Sequence, residues 1–222
     1  MENNLGLLLA KRAFLNPETE AFVNGNTGER LRFKELNNRC NRLSNALLQD
    51  GIEKGDRVGL LVMNGSEFVE AYFACGKVGA VAVPLNWRLV PDELEFILKD
   101  SGTKRLIFGE EFLDNVTELQ SRGDKTDIQQ WLQVCEDDVV APFAVDYKNF
   151  RDNGPTNNPA IDASEDDMMY ITYTSDTTRL PKGVLSTHPP AIRARAHMTA
   201  TIYALQGHRS HTPHLRLHVP GI

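Results

Sequence analysis

Cysteine is scarce in this chain. Only Cys40, Cys75 and Cys135 occur in 222 residues, far apart and without a C-x-x-C pair. That spacing points away from a disulfide framework or a thiolate metal site, and leaves buried, reduced thiols in a cytoplasmic protein as the expectation. Long apolar runs are also missing. The one N-terminal candidate, Leu5 to Ala10, is too short for a secretory core or a membrane span, and reads as the start of an amphipathic helix ending before Pro17. No G-x-x-x-x-G-K-[ST] run occurs, which excludes a Walker A loop. Positive charge is not in excess either: the net charge of −6 argues against a general nucleic-acid binder. Acid is absent altogether from residues 188–222, which hold four arginines and all six histidines. Residues 1–187 carry the other 20 Lys and Arg against all 30 acids, a net of −10. A break this sharp divides the chain at about residue 188 into a main unit, 1–187, and a degenerate His/Arg-rich tail, 188–222, with continuation of the same domain as the alternative.

What is present reads as a soluble α/β unit, with 41% apolar and 24% charged residues. Glu20 to Val23 and Arg30 to Phe33 flank Asn24-Gly25-Asn26-Thr27-Gly28 as a hairpin. Leu36, Cys40, Leu43 and Leu47 line one face of a helix that stops near Gly51. Apolar runs at Arg57 to Met63, Ala80 to Val83 and Lys104 to Phe108 then alternate with two helical periods. The first of these helices has Asn64 and Glu67 placed for a capping box and Phe68, Ala71, Tyr72 and Cys75 on its inner face. The second opens on Pro91 and ends at Gly102. Such alternation predicts a layered parallel sheet with flanking helices and right-handed crossovers. A further helix at Glu111 to Gln120 and a strand at Trp131 to Val134 follow. Glu136 to Asp167 is acidic and broken by Pro142, Pro155 and Pro159, and reads as a surface connection. Its acids Asp162, Glu165, Asp166 and Asp167 read as a solvated run, with a cation site as the alternative.

The chemistry concentrates in Tyr170 to His188, Y-I-T-Y-T-S-D-T-T-R-L-P-K-G-V-L-S-T-H. Met168 to Tyr173 has the composition of a buried strand, and Val184 resumes one. Between them lie the hydroxyls of Thr174, Ser175, Thr177 and Thr178, then Pro181, Lys182 and Gly183. Hydroxyl and backbone N–H donors closed by one lysine suit a polyphosphate. A Thr-rich hairpin turn is the alternative on composition alone.

The order of these residues resembles the phosphate-binding loop of the AMP-forming acyl-CoA synthetases, Y-T-S-G-T-T-G-x-P-K-G-V followed by T-H. Tyr173, Thr174, Ser175, Thr177, Thr178, Pro181, Lys182, Gly183, Val184, Thr187 and His188 keep that pattern. Upstream, K-G-D-R-V and N-G-S-E-F-V-E-A-Y-F-A-C-x-K-x-G-A-V-A-V-P-L-N look like a bacterial fatty-acid–CoA ligase. The resemblance implies the N-terminal part of an adenylating large domain. It further implies ATP and Mg²⁺ at Thr174, Ser175, Thr177, Thr178, Lys182 and Gly183, and a fatty acid and CoA as co-substrates. Another carboxylic acid, or a non-catalytic nucleotide- or partner-binding module, is the alternative. The family's two loop glycines are Asp176 and Arg179 here. A carboxylate about 4 Å from a phosphate charge costs about 4 kcal/mol at an effective dielectric near 20, or roughly three powers of ten in affinity.

The family's adenine, ribose and C-terminal lysine motifs find no match in these residues, so the chain by itself is expected to be an inactive fragment. His208, His211, His214 and His218 recur at metal-like spacing, but Pro213 interrupts the helix that would align them. No metal ligands are therefore assigned. The final L-R-L-H-V-P-G is a weak match to a family stretch near the acyl pocket.

Overall fold

The computed structural model describes residues 4–136, 139–160, 163–164, 166–174 and 180–189. Asn4 caps the first helix, α1 (Leu5–Leu15), its Oδ1 accepting from the N–H groups of Gly6 at 2.7 Å and Leu7 at 3.3 Å. The expected hairpin follows as β1 (Glu20–Val23) and β2 (Arg30–Arg32). In α2 (Phe33–Gln49), Leu36, Cys40, Leu43 and Leu47 are fully buried, as their spacing requires.

The alternating run becomes β3 (Arg57–Leu61), α3 (Ser66–Val78), β4 (Val81–Pro84), α4 (Pro91–Ser101) and β5 (Thr103–Gly109). After it come α5 (Leu113–Ser121), β6 (Gln130–Val134), β7 (Val145–Asp146), α6 (Tyr147–Asp152), β8 (Met168–Thr174) and β9 (Lys182–Thr187). Among the described residues the main sheet runs β7-β6-β5-β3-β4-β8-β9, parallel throughout except for β9 against β8. The chain steps one way from β3 to β4 and the other way from β4 to β5. Right-handed crossovers therefore put α3 and α4 on opposite faces.

Period-two alternation divides the side chains between two cores. Val58, Leu60, Ala82, Ile107 and Leu132 point to the face covered by α2, α3 and α6. Leu61, Val81, Val83, Leu106 and Phe108 point to the face covered by α4 and α5. Central strands with two buried faces explain the near-continuous apolar runs of the sequence. Gly102 ends α4 in the left-handed region at φ 60°. No helix among the described residues is long and apolar enough to cross a membrane.

Two expectations fail locally. The Asn64–Glu67 capping box does not form. The N-cap is Gly65, in extended backbone and without a side-chain cap, and the Glu67 carboxylate accepts from Ser66 Oγ at 3.1 Å instead. The stretch Glu136 to Asp167 is more than a surface connection. It contributes the edge strand β7 and the short helix α6, and α6 buries Tyr147 completely. The inner face of α3 is also wider than its spacing suggests. Ala71 and Cys75 face the sheet, while Val69 and Phe73 pack with Leu5, Leu9 and Leu36 in a third cluster under α1. All three cysteines are buried, and burial pushes the Cys75 thiol up to about 12. Asp162 and Glu165 lie outside the described residues, as do residues 190–222 of the tail with every tail histidine except His188. Asp167 is taken up by Lys54 at 2.8 Å and the Ser164 N–H at 2.7 Å.

A buried carboxylate joins the helices of one face. Glu70 on α3 has no exposed surface, and it accepts from Tyr147 Oη at 2.9 Å, Arg151 Nη1 at 3.0 Å and Arg39 Nη1 at 3.2 Å. Burial pushes its pKa upward, against the pull of Arg151, Arg39 and the phenol. Removing Glu70 would leave the buried Tyr147 hydroxyl without its acceptor and deprive Arg39 and Arg151 of their one buried partner, although each keeps a carboxylate nearer the surface. We therefore expect Glu70→Ala to lose about 3 kcal/mol of stability in urea unfolding. Glu70→Gln, which keeps hydrogen-bonding capacity, should lose less; equal losses would contradict this account.

His188, which directly follows β9, anchors the other end of the molecule. It is fully buried, and its Nδ1 accepts from the Leu5 N–H at 3.2 Å, satisfying an orphan donor of the first turn of α1. That bond requires the neutral ring with its proton on Nε2. Burial holds the imidazole below its ordinary range, opposed by Asp167. The unfolded chain thus binds this proton more readily than the folded one. The stabilisation is complete above the unfolded pKa near ~6.5 and is lost as pH falls below it. Urea titrations at about pH 7 and about pH 5 should show a larger loss in the parent than in His188→Gln. The same loss in both would refute the role of this ring.

Candidate phosphate-binding site

The candidate site lies where β8 ends and β9 begins. β8 is parallel to β4 through the pair Ala82↔Tyr170, and alternates Tyr170 into one core with Ile171 and Tyr173 into the other. The loop therefore leaves the carboxyl end of a parallel strand, where ligands of open α/β sheets bind. β9 returns antiparallel, with Thr174 opposite Lys182, Tyr173 opposite Gly183 and Thr172 opposite Val184.

The structure brings three of the expected residues together. Thr174 ends β8, and Lys182 and Gly183 open β9, all three exposed at the mouth of the hairpin. A hydroxyl and an ammonium thus stand on directly paired positions. Ser175, Thr177 and Thr178 lie outside the described residues, as do Asp176 and Arg179. Gly183 is closely packed, since a Cβ there would lie 3.0 Å from Ile171 Cγ2 and 3.2 Å from Tyr173 Cζ, side chains that would have to give by a few tenths of an ångström. β9 is the edge of the sheet among the described residues, and its Val184 and Leu185 are exposed on opposite faces.

Two participants escaped the sequence reading. Tyr173 donates its hydroxyl to Asp100 Oδ2 at 2.6 Å, tying the loop strand to the last turn of α4. Burial and that hydrogen bond push the phenol above its ordinary range. His188 had no assigned role and proves to be the acceptor for α1. Neither contact leaves a local signal, since the partners are 73 and 183 residues apart.

A cleft of about 540 Å³ elsewhere on the described surface is lined by Lys34, Glu35, Arg39, Arg42 and Arg151 among others. It lies over α2 and α6, away from the hairpin. Three of its arginines are engaged: Arg39 with Glu29, Glu35 and Glu70, Arg151 with Glu70 and Asp152, and Arg42 with the Asp152 carbonyl. No group of three His, Cys, Asp or Glu side chains suited to a metal occurs among the described residues.

The chain has relatives among known proteins. A family model for AMP-binding enzymes matches residues 9–216. The long-chain-fatty-acid–CoA ligase FadD13 of Mycobacterium tuberculosis is 35% identical over 200 residues, 90% of this chain and 38% of that protein. The 3-hydroxybenzoate–CoA/4-hydroxybenzoate–CoA ligase of Thauera aromatica is 34% identical over 160 residues, 71% of this chain and 30% of that one. An inhibitor-bound crystal structure of the N-terminal domain of FACL13 from Mycobacterium tuberculosis superposes with a TM-score of 0.81 at 33% identity. It is covered over 48% of its length by 90% of this chain. The chain thus spans well under half the length of the curated relatives it matches. Its sheet, its loop strands and its sequence together make it a member of the AMP-binding enzyme family, matching the N-terminal domain of the acyl-CoA ligases.

Proposed function

We propose that this chain is the phosphate-binding part of a fatty-acid–CoA ligase, residues 1–187 forming the folded unit that presents the loop. The observation that carries the reading is the pairing of Thr174 with Lys182 at the open carboxyl end of β8. In this role Thr174, Ser175, Thr177 and Thr178 donate hydroxyls to the β- and γ-phosphates of ATP. Lys182 neutralises charge, and Gly183 allows the Tyr173 ring to close under the loop. Mg²⁺, when bound with ATP, would share the phosphate charge. A complete ligase of this kind joins ATP to a carboxylate as an acyl-adenylate and passes the acyl group to CoA. The loop contributes positioning and charge neutralisation to the first of these steps.

Asp176 favours a second reading, a nucleotide-binding module of weak affinity. It is a carboxylate where the family has glycine, and beside a polyphosphate such a charge would oppose binding. Arg179, in place of the second glycine, could offset part of that charge or pair with Asp176.

We expect no pyrophosphate release by the polypeptide 1–222 with ATP and medium- or long-chain acids. We expect Asp176→Gly with Arg179→Gly to tighten Mg²⁺–ATP binding by roughly tenfold or more without creating turnover. Calorimetry and a pyrophosphate assay on both proteins make the comparison. Turnover by the parent would overturn the reading of an inactive part, and unchanged affinity in the folded double variant would show that Asp176 does not face the phosphates.

A further inference from the structure

Three features converge on Tyr173, the last β8 residue before Thr174. Its ring lies over Gly183, the residue beside Lys182, so closely that a Cβ at position 183 would meet Cζ at 3.2 Å and Cε1 at 3.4 Å. Glycine in an edge strand packs nothing of its own and weakens pairing, and an aromatic across the ladder restores the lost contact. Its hydroxyl, meanwhile, reaches Asp100 at 2.6 Å.

Asp100 is an unusual partner. It sits in the last turn of α4, where the helix dipole disfavours a carboxylate and favours a cation. The carbonyls that end this helix are held from β3 by Arg57, whose Nε binds the Ser101 oxygen at 2.5 Å and whose Nη2 binds that of Gly102 at 2.8 Å. The helix end is thus fixed to the central strand, and Asp100 passes that fixity to Tyr173. A charged acceptor makes the bond stronger than a neutral one would.

We infer that Tyr173 is a positioning residue for the phosphate loop. Its ring sets the spacing of β8 and β9 at Gly183, and its bond to Asp100 holds both stems, and with them Thr174 and Lys182, against the end of α4. The inference rests on the reading of this loop as a phosphate site. Lys182 owes its direction to a neighbour that never touches the ligand.

The test uses the Asp176→Gly/Arg179→Gly chain as parent and adds Tyr173→Phe, Asp100→Ala or Asp100→Asn. Mg²⁺–ATP affinity is measured by calorimetry well below each melting point, alongside amide exchange at Lys182 and Gly183. Tyr173→Phe and Asp100→Ala should each weaken ATP by roughly fivefold to tenfold, the scale of one hydrogen bond, and speed exchange at both amides. Asp100→Asn keeps an acceptor oxygen and should retain the parent's affinity within about twofold. A merely stabilising contact would shift the melting points and leave affinity unchanged, which overturns the inference while the phosphate reading stands. Failure of the parent itself to bind ATP overturns the phosphate reading, and this inference with it. Should Tyr173→Phe not fold, the two Asp100 variants decide the question by the same criteria.

Discussion

Three strands of this sheet, β3, β4 and β5, have no face toward water, and that constraint organises the molecule. Every side chain on them must find a core, odd and even positions on opposite sides. Five helices are needed to supply those cores. On one side α2, α3 and α6 crowd together closely enough that Glu70 is sealed from solvent and must be matched by two guanidinium groups and a phenol. The same alternation continues into β8, where Tyr170 enters one core and Ile171 and Tyr173 enter the other. The orientation of the loop strand is therefore inherited from the packing of the sheet. A register slip of one residue would exchange its faces and take Tyr173 away from Asp100.

Among the described residues the two-sided cover runs out toward β9. Val184 and Leu185 stand exposed on opposite faces, although their residue types suit a strand buried on both. Lys182 and Thr174 are exposed at the same end, where exposure is what a ligand requires. The hairpin thus combines one well-held strand with one that depends on it. Tyr173 reaching over Gly183 and Asp100 holding Tyr173 are the means by which order in the core extends to the edge.

Much of this was legible in the residues themselves. The runs at Arg57, Ala80 and Lys104 announce buried strands because burial on both faces leaves no polar alternation to confuse the reading. Pro91 and Gly102 mark the ends of α4 because each has a backbone reason to be there. The hydroxyls and Lys182 were legible through their order. Other features were hidden for physical causes. α6 lies in an acidic stretch rich in proline, and its one fully buried anchor, Tyr147, has no periodic partners in so short a helix. The start of α3 could not be read from Asn64 and Glu67 because local spacing does not say which backbone turn the chain takes, and it takes the turn at Gly65. Contacts such as Tyr173 with Asp100 and His188 with Leu5 are products of the tertiary fold, with no trace in either local sequence.

The order of the sheet also bears on how the chain comes together in time. β3, β4, β5 and β6 appear in succession and find their neighbours through short crossovers. β8 must reach past all of β5, β6 and β7 to pair with β4 through Ala82 and Tyr170. Closing so long a loop is slow relative to the local pairings. While the chain is being synthesised, the apolar outer edge of β4, from Val81 to Pro84, stands without its partner until β8 has left the ribosome. The strand that bears the ligand loop is thus also the one that closes the nascent sheet against association with other chains.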